Sequence, residues 1–308
     1  MIVTSLLELI GNTPLLDLTG LLGKGHARLV AKLEMMNPGG SVKDRPALAM
    51  IEAAERDDLL RPGMTIVEPT AGNTGIGLAL VAGLKGYRTV FFVPGRMSNE
   101  KVTAMRLYGA EVNLLTKGLG MAECIERAHH FAATRGNCFV PHQFENEANP
   151  GQAETVFGPE VHRELGYYPD GLAIGAGTGG TFTGLSRWLK RHHPGAVCHM
   201  VEPAGSVLGG GPKGEYQIEG IGNSFFPPIL DLDLADKIVT VPDEQSFAAC
   251  KQLASRVGLL AGGSSGANFV AASALCKQLG EGKTVLTVFT DNMDRYYSKG
   301  WVQDLVVG

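Results

Sequence analysis

The stretch TIVEPTAGNTGIGLALVAGLKGYRTVFFV, residues 65–93, decides how the chain is read. It opens on the apolar, β-branched run Thr65-Ile66-Val67 and closes on a second, Thr89-Val90-Phe91-Phe92-Val93. Runs of this composition read as strands. Between them, residues 75–86 are helical in pattern and end at Gly86, a usual helix stop. The unit recurs: residues 99–109 read as a helix, with Ser98 a good N-cap and Glu100 in the first turn, and Glu111-Val112-Asn113-Leu114-Leu115 follows as a strand. Residues 171–174, 197–201, 237–241 and 284–289 are again strand-like, with helical stretches between them. Such alternation predicts an α/β fold of mostly parallel sheets flanked by helices. Two sets of strands suggest two sheets in two domains, with a break at the polar stretch Glu145-Asn146-Glu147-Ala148-Asn149-Pro150.

With 308 residues the chain is long enough for one large or two medium domains. Charged residues make up 19% and hydrophobic residues 44%, as in ordinary globular enzymes. A net charge of −4 with no Lys/Arg cluster gives no reason to expect nucleic acid. The start, Met1-Ile2-Val3-Thr4-Ser5, does not read as a signal peptide, and no apolar run is long enough for a membrane span. The five cysteines are scattered without a C-x-x-C pair, so neither a disulfide framework nor a zinc site is expected. These features point to a cytoplasmic protein. His129-His130 and His192-His193 are not metal pairs, because neighbours on a helix do not share a face. The second pair precedes Pro194-Gly195, where cations favour a helix C-terminus.

Upstream of the opening stretch, NPGGSVKDR (37–45) is a glycine turn running into an amphipathic helix. The partial positive charge at a helix start pushes Lys43 towards the neutral amine, the form that attacks an aldehyde. Taken alone, Lys43 would be a solvated lysine beside a turn. Ser41-x-x-Asp44 fits a capping box, and Pro46 must fall in the first turn, so this helix starts between residues 42 and 45. Three further loops, at 68–75, 175–181 and 261–266, are glycine-rich and each joins an apolar strand to a helix. Ligands bind at the carboxyl ends of parallel strands, and helix N-termini there offer N–H groups to phosphate or carboxylate. One such loop reads equally well as a tight turn; three of them with Lys43 favour a shared anionic ligand. The rival is an NAD-dependent oxidoreductase: Gly175-x-Gly177-x-x-Gly180 matches the dinucleotide fingerprint, and Glu202 follows Gly180 by 22 residues. That reading gives no role to Lys43 or Asn73, whereas Thr178 and Thr181 suit a single phosphate monoester.

NPGGSVKDR at 37–45, EPTAGNTG at 68–75, QFEN at 143–146, GTGGT at 177–181, EGIG at 219–222, SSGA at 264–267 and DRYYSKG at 294–300 occur together and in order. On these motifs the chain resembles the cysteine synthase / cystathionine β-synthase family of pyridoxal 5'-phosphate enzymes, from Ile10-Gly11-Asn12-Thr13-Pro14-Leu15 to about Lys299. The resemblance implies a tryptophan synthase β-like fold. A smaller, mobile substrate-carboxylate domain would span 41–147, and a larger cofactor-phosphate domain 1–40 plus 148–308, with the cofactor in the cleft between them. Lys43 would hold the cofactor as a Schiff base and act as general base. Gly177, Thr178, Gly179, Gly180 and Thr181 would hold its phosphate, and Asn73 its ring hydroxyl. Thr70, Ala71, Gly72, Asn73, Thr74 and Gln143 would receive the substrate carboxylate. Position 71 is alanine where many cysteine synthases carry serine, so backbone N–H groups must serve there. The segment expected at the pyridine nitrogen reads Thr290-Asp291-Asn292-Met293, where the family commonly has serine. Asn292 is the aligned candidate and Asp291 stands next to it. No haem or adenosylmethionine regulation is expected.

The implied chemistry is β-replacement on L-serine or O-acetyl-L-serine through an α-aminoacrylate. PTAGNTG, EGIG and the DRYYSKG ending look more like bacterial cystathionine β-synthases, in which homocysteine adds to give cystathionine in transsulfuration. The alternative is a cysteine synthase using sulfide in cysteine biosynthesis. Gly222, Asn223 and Ser224 would face the incoming nucleophile. The resemblance also implies a homodimer. A non-enzymatic scaffold is disfavoured by the intact Lys43.

Overall fold

The computed structural model describes residues 2–70, 72–95, 97–116 and 118–307. Its strands form two sheets. The larger has six strands in the order β1 (Leu15–Asp17), β2 (Arg28–Leu33), β10 (Thr284–Phe289), β7 (Gly171–Gly175), β8 (Val197–Pro203) and β9 (Lys237–Val241). All its pairings are parallel except β1 with β2. The smaller is wholly parallel, in the order β5 (Glu111–Leu114), β4 (Arg88–Val93), β3 (Thr65–Pro69) and β6 (Cys138–Phe139).

Period-two alternation sends neighbouring residues of each strand into different cores. From the large sheet, Leu29, Ala31, Ala173, Val285 and Phe289 enter one core. Val30, Leu172, Ile174, Leu286 and Val288 enter the other. The small sheet divides likewise, with Ile66, Phe91 and Val93 on one face and Val67, Val90 and Phe92 on the other. Buried on both faces, these strands require helical cover. On the small sheet it comes from α1 (Asp44–Arg56), α2 (Asn73–Lys85), α3 (Asn99–Leu107) and α4 (Met121–Arg135). The large sheet is covered by α5 (Ala148–Gln152), α6 (Gly158–Leu165), α7 (Gly180–His192), α8 (Asp243–Val257) and α9 (Gly263–Leu279), and α10 (Gly300–Val307) packs on α8.

The strands expected near 65, 89, 111, 171, 197, 237 and 284 are all present, several of them a residue or two longer. The polar stretch 145–150 lies between β6 of the small sheet and β7 of the large one and leads into α5, and a π-helical turn, Ala153–Phe157, joins α5 to α6 in one rod. Pro150 is tolerated because it lies in the first turn of α5. Ser98 occupies the N-cap of α3, but its buried hydroxyl makes no capping bond. The Ser41–Asp44 capping box does not form. Lys43 is itself the N-cap of α1; Ser41 Oγ accepts from the Lys43 N–H at 3.2 Å, and Asp44 turns back to accept from the Gly39 N–H at 2.5 Å. The helix start falls within the expected window, with Pro46 in the first turn.

Strand β2 carries a fully buried lysine next to its C-terminal residue, which hides it from a reading by apolar runs. Lys32 pairs with Glu160 at 2.7 Å and Glu164 at 2.6 Å. Glu160 also meets Arg45, whose guanidinium forks onto Glu34 at 2.7 and 2.8 Å and onto Glu160 at 2.8 and 2.9 Å. Arg45 lies 4.1 Å from the centre of the Phe157 ring. This buried cluster ties the first turn of α1 to the segment after β2 and to α6. Removing one member leaves its partners charged and unpaired in the interior, so Arg45→Met should destabilise the protein by about 3–5 kcal/mol in urea unfolding. Burial alone would raise the Glu160 carboxyl, but Arg45 and Lys32 outweigh it and hold it at about 2, below its ordinary 4.5. This group therefore contributes stability that is complete above pH 4.5 and is lost as pH falls towards 2. Glu160→Gln should flatten that part of the acid-unfolding profile.

Candidate active site

Lys43 is placed by three contacts. The Val42 N–H donates to the Thr290 carbonyl at 2.9 Å, Ser41 bridges to Asp291, and the Lys43 carbonyl lies 2.9 Å from where a Cβ on Gly77 would stand. The first two hold it to the end of β10, and the third seats it on α2. Its side chain is half-buried. Burial pushes its ammonium from 10.5 down to about 8, and the Asp291 carboxylate pulls in the opposite direction. The position at the N-cap of α1 disfavours the ammonium as well. The amine is thus neutral over a pH range in which an ordinary lysine is charged.

The loop after β7 is built to let backbone approach. Gly179 has a φ of +90°, and a Cβ on Gly177 would stand 2.5 Å from the Gly220 carbonyl oxygen. A Cβ on Gly180 would stand 2.0 Å from Asn149 Oδ1. Asn149 Nδ2 donates to Thr178 Oγ1 at 3.1 Å and to the Gln143 carbonyl at 2.9 Å, so α5 braces the loop. Thr181 Oγ1 and Asn149 Oδ1 are buried without a partner. An unpaired buried hydroxyl at the start of a 13-residue helix, beside glycine backbone, fits the phosphate of pyridoxal phosphate.

The 70–74 loop opens α2 in the same manner. Thr70 Oγ1 accepts from the N–H groups of Gly72 at 3.1 Å and Gly75 at 3.0 Å. Thr74 donates to Gln143 Oε1 at 2.7 Å, and Gln143 Nε2 donates to the Pro69 carbonyl at 2.8 Å. Thr70, Thr74 and Gln143 are therefore brought together, with their side chains bonded inside the loop and the Asn73 and Thr74 N–H groups left at the helix start, where an anion could be received. Gly72 has a φ of +133°, a conformation suited to glycine. Ala71 lies outside the described residues. Asn73 donates Nδ2 to Asp291 at 2.7 Å and accepts from Arg295 on Oδ1 at 2.6 Å.

Asp291 is buried; its Oδ2 accepts from Asn73 and from the Tyr296 hydroxyl at 2.6 Å, and its Oδ1 has no partner. Of the two neighbours expected near the ring nitrogen, Asp291 is the one that joins Asn73 and Lys43; Asn292 pairs its backbone with Ala261. A further pair, Ser264 Oγ and Thr290 Oγ1 at 2.6 Å, sits where α9 begins and β10 ends. Its signal was the SSGA motif in the third glycine loop. Gly222 donates its N–H to the Ala176 carbonyl at 2.8 Å, and Asn223 Nδ2 donates to the Gly177 carbonyl at 3.1 Å. The Asn223 amide thus holds the phosphate loop, while Ser224 is exposed. Glu202, the ribose candidate of the oxidoreductase reading, is buried and bonded to the Gly209 N–H and to Thr240.

Two glycine-rich helix starts able to receive anions, with a lysine of lowered pKa between them, suit a phosphorylated aldehyde bound through an amine. Comparison with known proteins agrees. The profile of the family "Pyridoxal-phosphate dependent enzyme" matches residues 6–291. A cysteine synthase of Staphylococcus aureus is 43% identical over 298 residues, 96% of each chain. The crystal structure of an O-acetylserine-dependent cystathionine β-synthase from Helicobacter pylori superposes with a TM-score of 0.94 at 42% identity, covering 97% of this chain and 99% of that one. A hydrogen sulfide-producing enzyme from Fusobacterium nucleatum superposes with a TM-score of 0.92 at 37% identity, covering 96% and 100%. The chain belongs to the pyridoxal-phosphate-dependent enzymes and, within them, to the β-replacement family of cysteine synthases and cystathionine β-synthases. The oxidoreductase reading is set aside. Among the described residues no cluster of His, Cys, Asp or Glu could hold a metal ion, and no helix is long and apolar enough to cross a membrane.

Because the neutral amine attacks the aldehyde, uptake of cofactor by the stripped protein should quicken as pH rises to about 8 and then level off. The visible band of the bound cofactor reports the rate. Lys43→Ala should abolish the band, and Asp291→Asn should move the rise to lower pH.

Proposed function

We propose that the chain replaces the β-substituent of O-acetyl-L-serine, or of L-serine, with the thiol of homocysteine, giving cystathionine. The observation that carries this reading is the likeness to the Helicobacter pylori enzyme along nearly the full length of both chains. A cleft of about 490 Å³, lined by Glu215, Tyr216, Gln217 and Asp243, supports it. The cleft borders the 219–224 segment, since the Tyr216 hydroxyl lies 3.0 Å from where a Cβ on Gly222 would stand. Its Glu215 and Asp243 carboxylates suit the ammonium group of an amino-acid thiol, which sulfide lacks. The second reading, a cysteine synthase using sulfide, is favoured by the Staphylococcus aureus relative.

In this reading Gly177–Thr181 and the start of α7 hold the cofactor phosphate, and Asn73 orients the ring hydroxyl. The Ser264–Thr290 hydroxyl pair and the Asp291 carboxylate are the groups offered to the ring nitrogen. Pyridoxal phosphate supplies an electron sink for charge developed at the substrate Cα. Lys43 Nζ takes the Cα proton and later returns it. The N–H groups of Asn73 and Thr74 bind the substrate carboxylate, with Gly72, Thr70 and Gln143 shaping the loop. Residues 41–147 form the smaller body, hinged behind the Arg45 clamp, and its closure excludes water from the reacting carbon. The protein acts in the cytoplasm as a homodimer.

With O-acetylserine as donor and the two nucleophiles supplied separately, kcat/KM for homocysteine should exceed that for sulfide by about tenfold or more, equivalent to about 1.4 kcal/mol. A preference of that size for sulfide would establish the second reading instead. Asp243→Ala, which frees the Gln217 and Ile218 N–H groups that it binds, should raise KM for homocysteine and leave that for the donor unchanged.

A further inference from the structure

Lys101 lies in α3, on the small-sheet side, yet is 1% exposed and directs its ammonium at the other half of the molecule. On the way its methylenes support the 70–74 loop: a Cβ on Gly72 would stand 2.4 Å from Lys101 Cδ. Its Nζ reaches Glu219 at 2.7 Å and donates to the Tyr296 hydroxyl at 3.1 Å, lying 4.2 Å from the centre of that ring. Glu219 is completed by Lys299 at 2.6 Å. The Tyr296 hydroxyl in turn donates to Asp291 Oδ2, which also accepts from Asn73. Beside Lys101, Glu100 accepts from the N–H and hydroxyl of Ser298 at 2.6 and 2.7 Å.

Two facts give this arrangement its meaning. The ion pair is buried, so parting it would leave two uncompensated charges in a poorly solvated place. It also joins the two bodies, with Lys101 carried by the small sheet's helices and Glu219, Tyr296 and Ser298 lying in the part of the chain that follows the large sheet's β8. One of the buried bonds between the bodies is thus made by the side chain on which the 70–74 loop rests. We propose that Lys101 is a positioning residue for the β-replacement reaction. Paired with Glu219, it latches the 70–74 loop over the site and, through Tyr296 and Asp291, fixes Asn73. The inference rests on the reading of Lys43 as the cofactor lysine and of 70–74 as the carboxylate loop. It adds a residue that touches neither cofactor nor carboxylate.

The test compares Lys101→Met, Glu219→Gln and the double variant with the parent protein. Glu219→Gln keeps shape on the far side of the latch and guards against a folding defect in the lysine variant. In the cofactor-free protein, amide hydrogen exchange over 70–76 should quicken about tenfold or more in either single variant, and no further in the double. In the holoenzyme, KM for O-acetylserine should rise about tenfold with kcat reduced less than about threefold, because the competent closed state is less populated. The visible cofactor band should remain. Lys43→Ala instead loses the band and keeps parental exchange at 70–76, so failure of the lysine reading is recognised separately. The proposal is overturned by unchanged exchange at 70–76, by exchange that quickens equally across both sheets, or by a KM rise without a change in exchange.

Discussion

The site depends on how the start of α1 is anchored. Lys43 begins a helix whose body packs on α2, yet in the proposed site it must face the glycine loop after β7, which belongs to the other sheet. Arg45, two residues on, resolves this by forking onto Glu34 and Glu160, both held in the large-sheet half. A lone guanidinium could not be buried there; two carboxylates, with Lys32 balancing the second, make it tolerable. The clamp keeps Lys43 with β10 and Asp291, while Gly72–Thr74 approach from the small-sheet side. Lys43 thus stands between the two sheets, tied to β10 on one side and seated on α2 on the other.

Electrostatics around Lys43 are a balance of two opposed effects. Burial and the helix start favour the neutral amine, and Asp291 favours the ammonium. A lowering from 10.5 to about 8 leaves the amine readily available yet still able to take and keep a proton. Asp291 exerts that influence because two donors hold its carboxylate. One is the Asn73 amide. The other is Tyr296, whose phenol is pushed up by burial, Asp291 and Glu219 together, and so remains a donor. Asn73 is drawn between Asp291 and Arg295 with both ends of its amide engaged, and the ring-facing geometry is set before any ligand arrives.

Most of this architecture could be read from local patterns. β-branched runs marked the strands, and glycine loops after them marked the anion sites. What escaped the reading depends on charges that look misplaced in one dimension. Lys32 interrupts β2, and only Glu160 and Glu164, far along the chain, make it a core residue. Lys101 drew no reading and Glu219 stood only in the EGIG motif, yet the fold brings them 2.7 Å apart. Asn149 fell in the polar stretch of the expected break, and it braces Thr178 from inside α5. Asn223 was expected to face the nucleophile, and its amide also donates to the Gly177 carbonyl. In each case a polar side chain has a partner more than twenty residues away, which no local pattern encodes.

The central claim is that Lys43, and no other lysine, carries the cofactor. Its most direct test is borohydride reduction of the holoenzyme followed by peptide mass spectrometry, which fixes the cofactor to the nitrogen that held it. The account predicts the reduced pyridoxal phosphate mass on the peptide containing Lys43, at close to one per chain. Label on Lys101, Lys32 or another lysine, or spread among several, would contradict it.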